Sequence, residues 1–262
     1  MSEDKELWMT RAAACELLAL SLRYPTDELA RILTSGEWAD AAREIAAALG
    51  AELSEDAVAE LPAGDEGEVS SARAEEVLRE LRPEATHLFI GAPNPSCSPY
   101  EGIWRAEADG VQPLMFVNPC SMEVERYCHA CGLGSPDGTN EPLDHVATEF
   151  ELLEILALRA AGAVEQAEEE GWAVPDAELP GGSASAAYDQ FVADHLSTWV
   201  PDFAERLFTE ARIPFYRSVA GLLSAFLAAK SQVRLFGPRG TRYSELAELC
   251  FLSIPLDLAF CS

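Results

Sequence analysis

Glu141, Asp144 and His145 stand close together, and a second acid–imidazole pair, Asp194-His195, follows further along the chain. Such pairs have the composition of a general acid–base couple, which moves a proton when both groups lie within hydrogen-bond reach of a substrate. A second constellation is made of thiols. Cys128 and Cys131 form a C-x-x-C with His129 between them, and Cys120 and Cys97 precede it. Four soft ligands of this kind can hold zinc or an iron–sulfur cluster, or serve a redox sensor. A third set is mixed. Leu88, Phe89, Tyr100 and Trp104 offer an apolar floor, and Asp144 with His145 offers a positive charge somewhere to dock. That is the chemistry of a peptide groove.

Each chemistry has a plainer competitor. No nucleophile is marked by a G-x-S-x-G elbow, and no G-x-x-x-x-G-K-[ST] loop is present to cradle a phosphate. The cysteine pair lies in a segment with helical spacing, where residues i and i+3 share a face and pack together. Its upstream spacings match no familiar zinc module, and a single C-x-x-C is a weak signal. Aromatic residues are more often core than ligand contacts.

The elements that must position these residues are helical. Leu7, Trp8, Arg11, Cys15, Leu18 and Leu22 predict an amphipathic first helix that stops at Tyr24-Pro25, and Thr26 caps a second. Residues 37–49 form a third, anchored by Trp38, Ile45 and Leu49. Residues 62–70 read as an acidic loop. A helix carrying Val77, Leu78 and Leu81 meets Pro83, and a short helical turn from Ala85 to Ile90 ends at Gly91 in a left-handed cap. A proline-stiffened loop covers 92–102, with Tyr100 and Trp104 at its far end. Val124–Leu133 is helical. Pro142 then stops the chain, Asp144 is expected to cap the next helix, and His145 to sit on its first turn. That helix buries Val146, Phe150, Leu153 and Ala157 and runs to Gly162. Residues 163–186 read as a flexible connection. Helical spacing resumes at Tyr188, Phe191, Val192, His195, Leu196 and Trp199. Pro201 and Pro214 suit first-turn positions of new helices, and Thr241 suits the cap of a last one. With no alternating pattern of useful length, the chain reads as an all-α protein, a single domain over 1–262.

Composition narrows the partners. The chain has 262 residues, enough to bury a large core, and 48% of them are apolar. Acids outnumber bases 45 to 18, a net charge of −27 that disfavours nucleic acid and anionic membrane surfaces and favours a basic partner. The N-terminus shows no secretory signal, and no run reaches the ~18 apolar residues of a spanning helix. A cytoplasmic protein with seven reduced thiols is the expectation.

The order of short motifs adds a resemblance. Leu-Arg-Tyr-Pro (22–25), His-Leu-Phe-Ile-Gly (87–91), Pro-Tyr-Glu-Gly-Ile-Trp (99–104), Glu-Pro-Leu-Asp-His (141–145), His-Leu-Ser-Thr-Trp (195–199) and Pro-Phe-Tyr (214–216) follow one another. This series, over roughly residues 7–230, resembles the cytoplasmic redox-enzyme maturation chaperones, the family that matures dimethyl sulfoxide and trimethylamine N-oxide reductases. The resemblance implies a single all-α domain with no enzymatic site and no need of metal or nucleotide. Family members bind the twin-arginine leader of a molybdenum-cofactor enzyme precursor, often with its folded body, and hold back export until the cofactor is inserted. Both monomers and domain-swapped dimers occur among them. Carried over residue by residue, the binding positions are Leu88, Phe89, Tyr100, Trp104, Pro142, Asp144 and His145, with Tyr24 a weaker match. Ala85 and Pro93 stand where some relatives have tryptophan.

Overall fold

The computed structural model describes residues 3–51, 53, 71–92, 94–111, 118–133, 142–164 and 174–233. The acidic loop expected at 62–70 and the helix expected after Thr241 lie outside them. The described residues are helical throughout apart from connections, and the single β-bridge among them joins Tyr100 to His145. None of their helices is long and apolar enough to cross a membrane. Cα packing separates two compact units. One comprises the described residues up to Glu16 together with Tyr100–Trp199, and the other Leu17–Pro99 with the described residues from Val200.

Helix α1 (Glu3–Leu22) ends before Pro25, as the sequence requires. Thr26 caps α2 (Asp27–Ser35), its hydroxyl accepting the Leu29 N–H at 3.3 Å. Gly36, at φ 83°, closes α2 and opens α3 (Glu37–Ala48), a left-handed conformation that glycine adopts without steric cost. In the second unit Trp38 is fully buried, donates its indole N–H to Ser21 at 2.8 Å and meets Phe215 edge-on. α2 packs along α4 (Ser71–Ala85).

Three expectations need correction here. Pro83 does not end α4: the helix runs through it and on into a π turn, Thr86–Ile90. Pro201 likewise lies inside a helix rather than at its start. Each proline removes one N–H from the ladder, and the helix nonetheless continues through it. Gly91 is not left-handed (φ −41°, ψ 139°). The helix end is closed by the returning chain, with the Ser96 N–H donating to the His87 carbonyl at 3.3 Å and that of Cys97 to the Leu88 carbonyl at 2.8 Å.

The first unit carries α5 (Glu101–Ala108), α6 (Pro119–Ala130), α7 (Val146–Ala160) and α8 (Ala184–Phe191). Asn118 caps α6 ahead of Pro119, accepting the Cys120 N–H at 2.9 Å. α7 packs along α8, burying the expected stripe Val146, Phe150, Leu153 and Ala157 against Ala187, Tyr188 and Phe191. Each large side chain of that stripe contributes about 1.5–3 kcal/mol through burial. α8 passes into a second π turn, Val192–Leu196, and then α9 (Ser197–Glu210); α10 (Pro214–Val233) does begin at its proline. Residues 174–186 are not a loose connection. Two 3₁₀ turns, Asp176–Glu178 and Pro180–Gly182, follow one another, and Arg159 holds the first by bonding to the Val174 carbonyl at 2.7 Å and to the Asp176 carboxylate.

Candidate functional site

Tyr100 precedes α5 and has no side chain able to cap it. The capping groups come from far along the chain. The Asp144 carbonyl accepts the Glu101 N–H at 3.0 Å, and the Asp144 carboxylate accepts the Gly102 N–H at 3.0 Å and the Ser121 hydroxyl at 2.6 Å. Asn118 donates its side-chain amide to the Gly102 carbonyl. Asp144 therefore caps α5, not α7 as its position suggested. The cap of α7 is His145, whose Nδ1 accepts the Ala147 N–H at 3.1 Å. This imidazole stands one residue before the first turn, not on it. The reason is geometric: Asp144 is turned inward by the Tyr100–His145 bridge, which leaves the next side chain to face the start of α7.

Gly102 makes this knot possible. A Cβ there would lie 2.6 Å from Ser121 Oγ and 2.9 Å from both Asn118 Nδ2 and Asp144 Oδ2. The loop that was expected to reach residue 102 accordingly ends at Tyr100, and Trp104 belongs to α5.

Below the knot lies a buried ionic group. Glu101 is fully buried, accepts from the Arg105 guanidinium at 2.8 Å and pairs with His195 Nδ1 at 3.0 Å. His195 stacks on Phe191, with ring centroids 4.6 Å apart, and sits in the π turn. Glu149, on the buried stripe of α7, is also fully enclosed, with the Glu101 carboxylate and the Trp199 indole alongside. Loss of hydration, reinforced by the charges of Glu101 and Asp144, holds the Glu149 carboxyl well above the usual carboxylate range. Burial also raises Asp144, against the opposing pull of its hydrogen bonds from Ser121 and Gly102.

Of the residues expected to bind, Tyr100, Trp104, Pro142, Asp144 and His145 all belong to this unit. The Tyr100 and His145 rings meet edge-on at 5.3 Å, and Trp104 lies 6.4 Å from Trp199. Tyr100, Trp104, Pro142 and His145 are half-buried, whereas Asp144 is 1% exposed. Leu88 and Phe89 belong to the second unit and are buried there, Phe89 against Phe203 and Tyr216. Tyr24, in the same unit, is exposed. Glu141 lies outside the described residues. In the first unit an open trough of about 700 Å³ is lined by Arg105, Glu123, Arg126, Asp194, His195 and Thr198, among others.

The thiols take a different form from the ligand set considered above. Cys97 is buried in the second unit against the Phe203 carbonyl, while Cys128 and Cys131 are buried at the end of α6 in the first. Burial pushes the Cys131 thiol up to about 12 and raises Cys128 as well. No group of three or more His, Cys, Asp or Glu among the described residues is arranged to hold a metal ion.

Sequence reasoning passed over Glu101, Gly102 and Glu149. Glu101 and Gly102 stood inside a quoted motif. Glu149 lies three residues after Val146, and so on the apolar stripe itself, where an acid is out of place.

Fold and site together define an all-α protein whose half-buried aromatic face rests on a buried polar knot. A family model described as the nitrate reductase delta subunit matches residues 34–205, and the chain belongs to that family. It is similar to proteins named chaperone protein TorD. One from Vibrio cholerae serotype O1 is 28% identical over 148 residues, covering 56% of this chain and 59% of that protein. Another from Photobacterium profundum is 27% identical over 152 residues, 58% and 62% of the two chains. A third, from Shewanella loihica, is 25% identical over 164 residues. The aligned stretch spans about three-fifths of the first two relatives' length.

Proposed function

We propose that this chain is a maturation chaperone that binds the twin-arginine leader of a molybdoenzyme precursor in the cytoplasm and performs no chemistry on it. The observation that carries the reading is the half-buried strip of Tyr100, Trp104, Pro142 and His145, together with an open trough in the same unit bearing Glu123 and Asp194. Kinship with the named chaperones supports it. A leader presents two guanidinium groups followed by an apolar stretch. The apolar stretch gains about 25 cal/mol for each Å² it buries on the aromatic strip. The guanidinium groups pair with carboxylates that face solvent. Glu123 and Asp194 are exposed and meet that need, whereas Asp144 is enclosed and committed to the α5 cap.

Titration of the folded protein with a twin-arginine leader peptide tests this directly. Binding at micromolar concentration is expected, and none with the protein folded would overturn the reading. Raising salt is expected to slow association more than it speeds dissociation, because the field of a −27 chain is screened while apolar contacts are not. Stopped-flow rates at low and high ionic strength measure this.

His145 separates support from contact. His145→Asn keeps an acceptor for the Ala147 N–H and removes the ring that meets Tyr100. Leader affinity is expected to fall while the urea midpoint stays nearly unchanged. His145→Ala loses the cap as well, at a further cost of about 1 kcal/mol.

A further inference from the structure

Glu149 is a fully buried acid without a conventional hydrogen-bond partner. Its neighbour Glu101 is equally buried and already has two cationic or proton-bearing partners, Arg105 and His195. Asp144, 1% exposed, adds a third carboxyl to the same interior. The groups facing Glu149 are Glu101 from α5, Asp144 from the turn before α7, Cys128 from α6 and the Trp199 indole from α9, and Glu101 in turn holds Arg105 from α5 and His195 from the π turn. One guanidinium and one imidazole face three carboxyls. Two of the carboxyls have donors that account for a negative charge: Arg105 and His195 for Glu101, and the Gly102 N–H and Ser121 hydroxyl for Asp144. Glu149 has none. Ionised side by side, Glu149 and Glu101 would repel each other in a region without water to screen them.

We propose that Glu149 is a proton-holding positioning residue: as a neutral acid it hydrogen-bonds toward Glu101 and keeps Trp199 beside the tilted ring of Trp104, so that the aromatic strip is assembled only while the proton is in place. This rests on the leader-binding reading of that strip. Deprotonation sends the proton to solvent base and leaves a second negative charge beside Glu101. α5 and the start of α7 then move apart, taking Trp104 from Trp199. The sign follows from the raised position of the Glu149 carboxyl. The folded state keeps a proton that the unfolded chain releases near the ordinary glutamate value of about 4.3, so this contribution to stability is greatest in acid and declines as pH rises. Binding linked to the same proton declines in the same direction.

The experiment uses the intact protein and Glu149→Gln, which keeps the shape and cannot ionise. Infrared difference spectra between the two are expected to show a protonated carboxylic acid band at neutral pH in the unsubstituted protein alone. Leader affinity, measured from ~pH 6 to ~pH 9, is expected to weaken about tenfold in the unsubstituted protein and less than about twofold in Glu149→Gln. Near-ultraviolet circular dichroism should follow the same titration. Absence of the band overturns the proposal, as does an affinity that falls equally in both proteins. If neither protein binds leader at any pH, the functional reading fails, and the infrared band still decides where the proton lies.

Discussion

Asp144→Ala is expected to destabilise the folded protein by about 2–4 kcal/mol, because it strands the Gly102 N–H and the Ser121 hydroxyl, each worth about 1–3 kcal/mol when left without a partner. Against the 5–15 kcal/mol typical of a folded domain, that is a large fraction. Both donors bond the same oxygen, Oδ2, so Asp144→Asn with its amide oxygen in that place retains the acceptor for both and is expected to cost less than half as much. The ranking matters more than either value. A carboxylate kept for a ligand would show the reverse pattern, with little change in the urea midpoint and a collapse of leader binding in both variants. Denaturant melts of the two variants, with amide exchange followed at Gly102, distinguish the cases. Fast exchange at Gly102 in Asp144→Ala alone supports the cap. Unchanged exchange would show that the carboxylate does not hold α5.

Gly102→Ala probes the same knot by adding atoms. The new methyl falls within 2.9 Å of Ser121, Asn118 and Asp144 together. Overpacking a close interior typically costs about 1–3 kcal/mol. Here the three neighbours that must retreat are also the partners of the knot, so hydrogen bonds are lost with the clash. A loss of about 3 kcal/mol or more is expected, read as a lower thermal midpoint. Ser121→Ala in the same chain should recover part of it by vacating the tightest contact. If Gly102→Ala melted with the parent, the close approach of α5 to Asn118 and Ser121 would be disproved.

Local signals carried much of this architecture. Thr26 after Pro25, Pro214 at the start of α10 and the 146–150–153–157 stripe each act within a few residues, so their outcome follows from the neighbouring sequence. The failures are of another kind. Asp144 looked like a cap and is one, but for a helix whose capped Gly102 lies 42 positions before it. Nothing in a linear reading assigns an acceptor to a donor that distant. Pro83 and Pro201 looked like helix boundaries because proline commonly ends or begins a helix, yet both lie inside one. The site was partly legible. Motif order placed Leu88, Phe89, Tyr100, Trp104, Pro142, Asp144 and His145 in one group, and of these the last five fall in one unit while Leu88 and Phe89 fall in the other. Burial was not legible, and burial is what divides Asp144 and Glu149, which build the strip, from the half-exposed rings that form it.

The coil at Val192–Leu196 also works as a one-residue shim. A π turn takes one residue more than an α turn over the same rotation, whereas an ordinary helix advances about 100° per residue, so if this coil tightened to α winding with all its residues kept, everything after it would be rotated by about that angle relative to Phe191. Trp199 would then face away from Trp104. Winding at this point, as much as residue type, keeps that ring aimed inward, and a related chain with one position fewer there could present the same face from an unbroken α-helix.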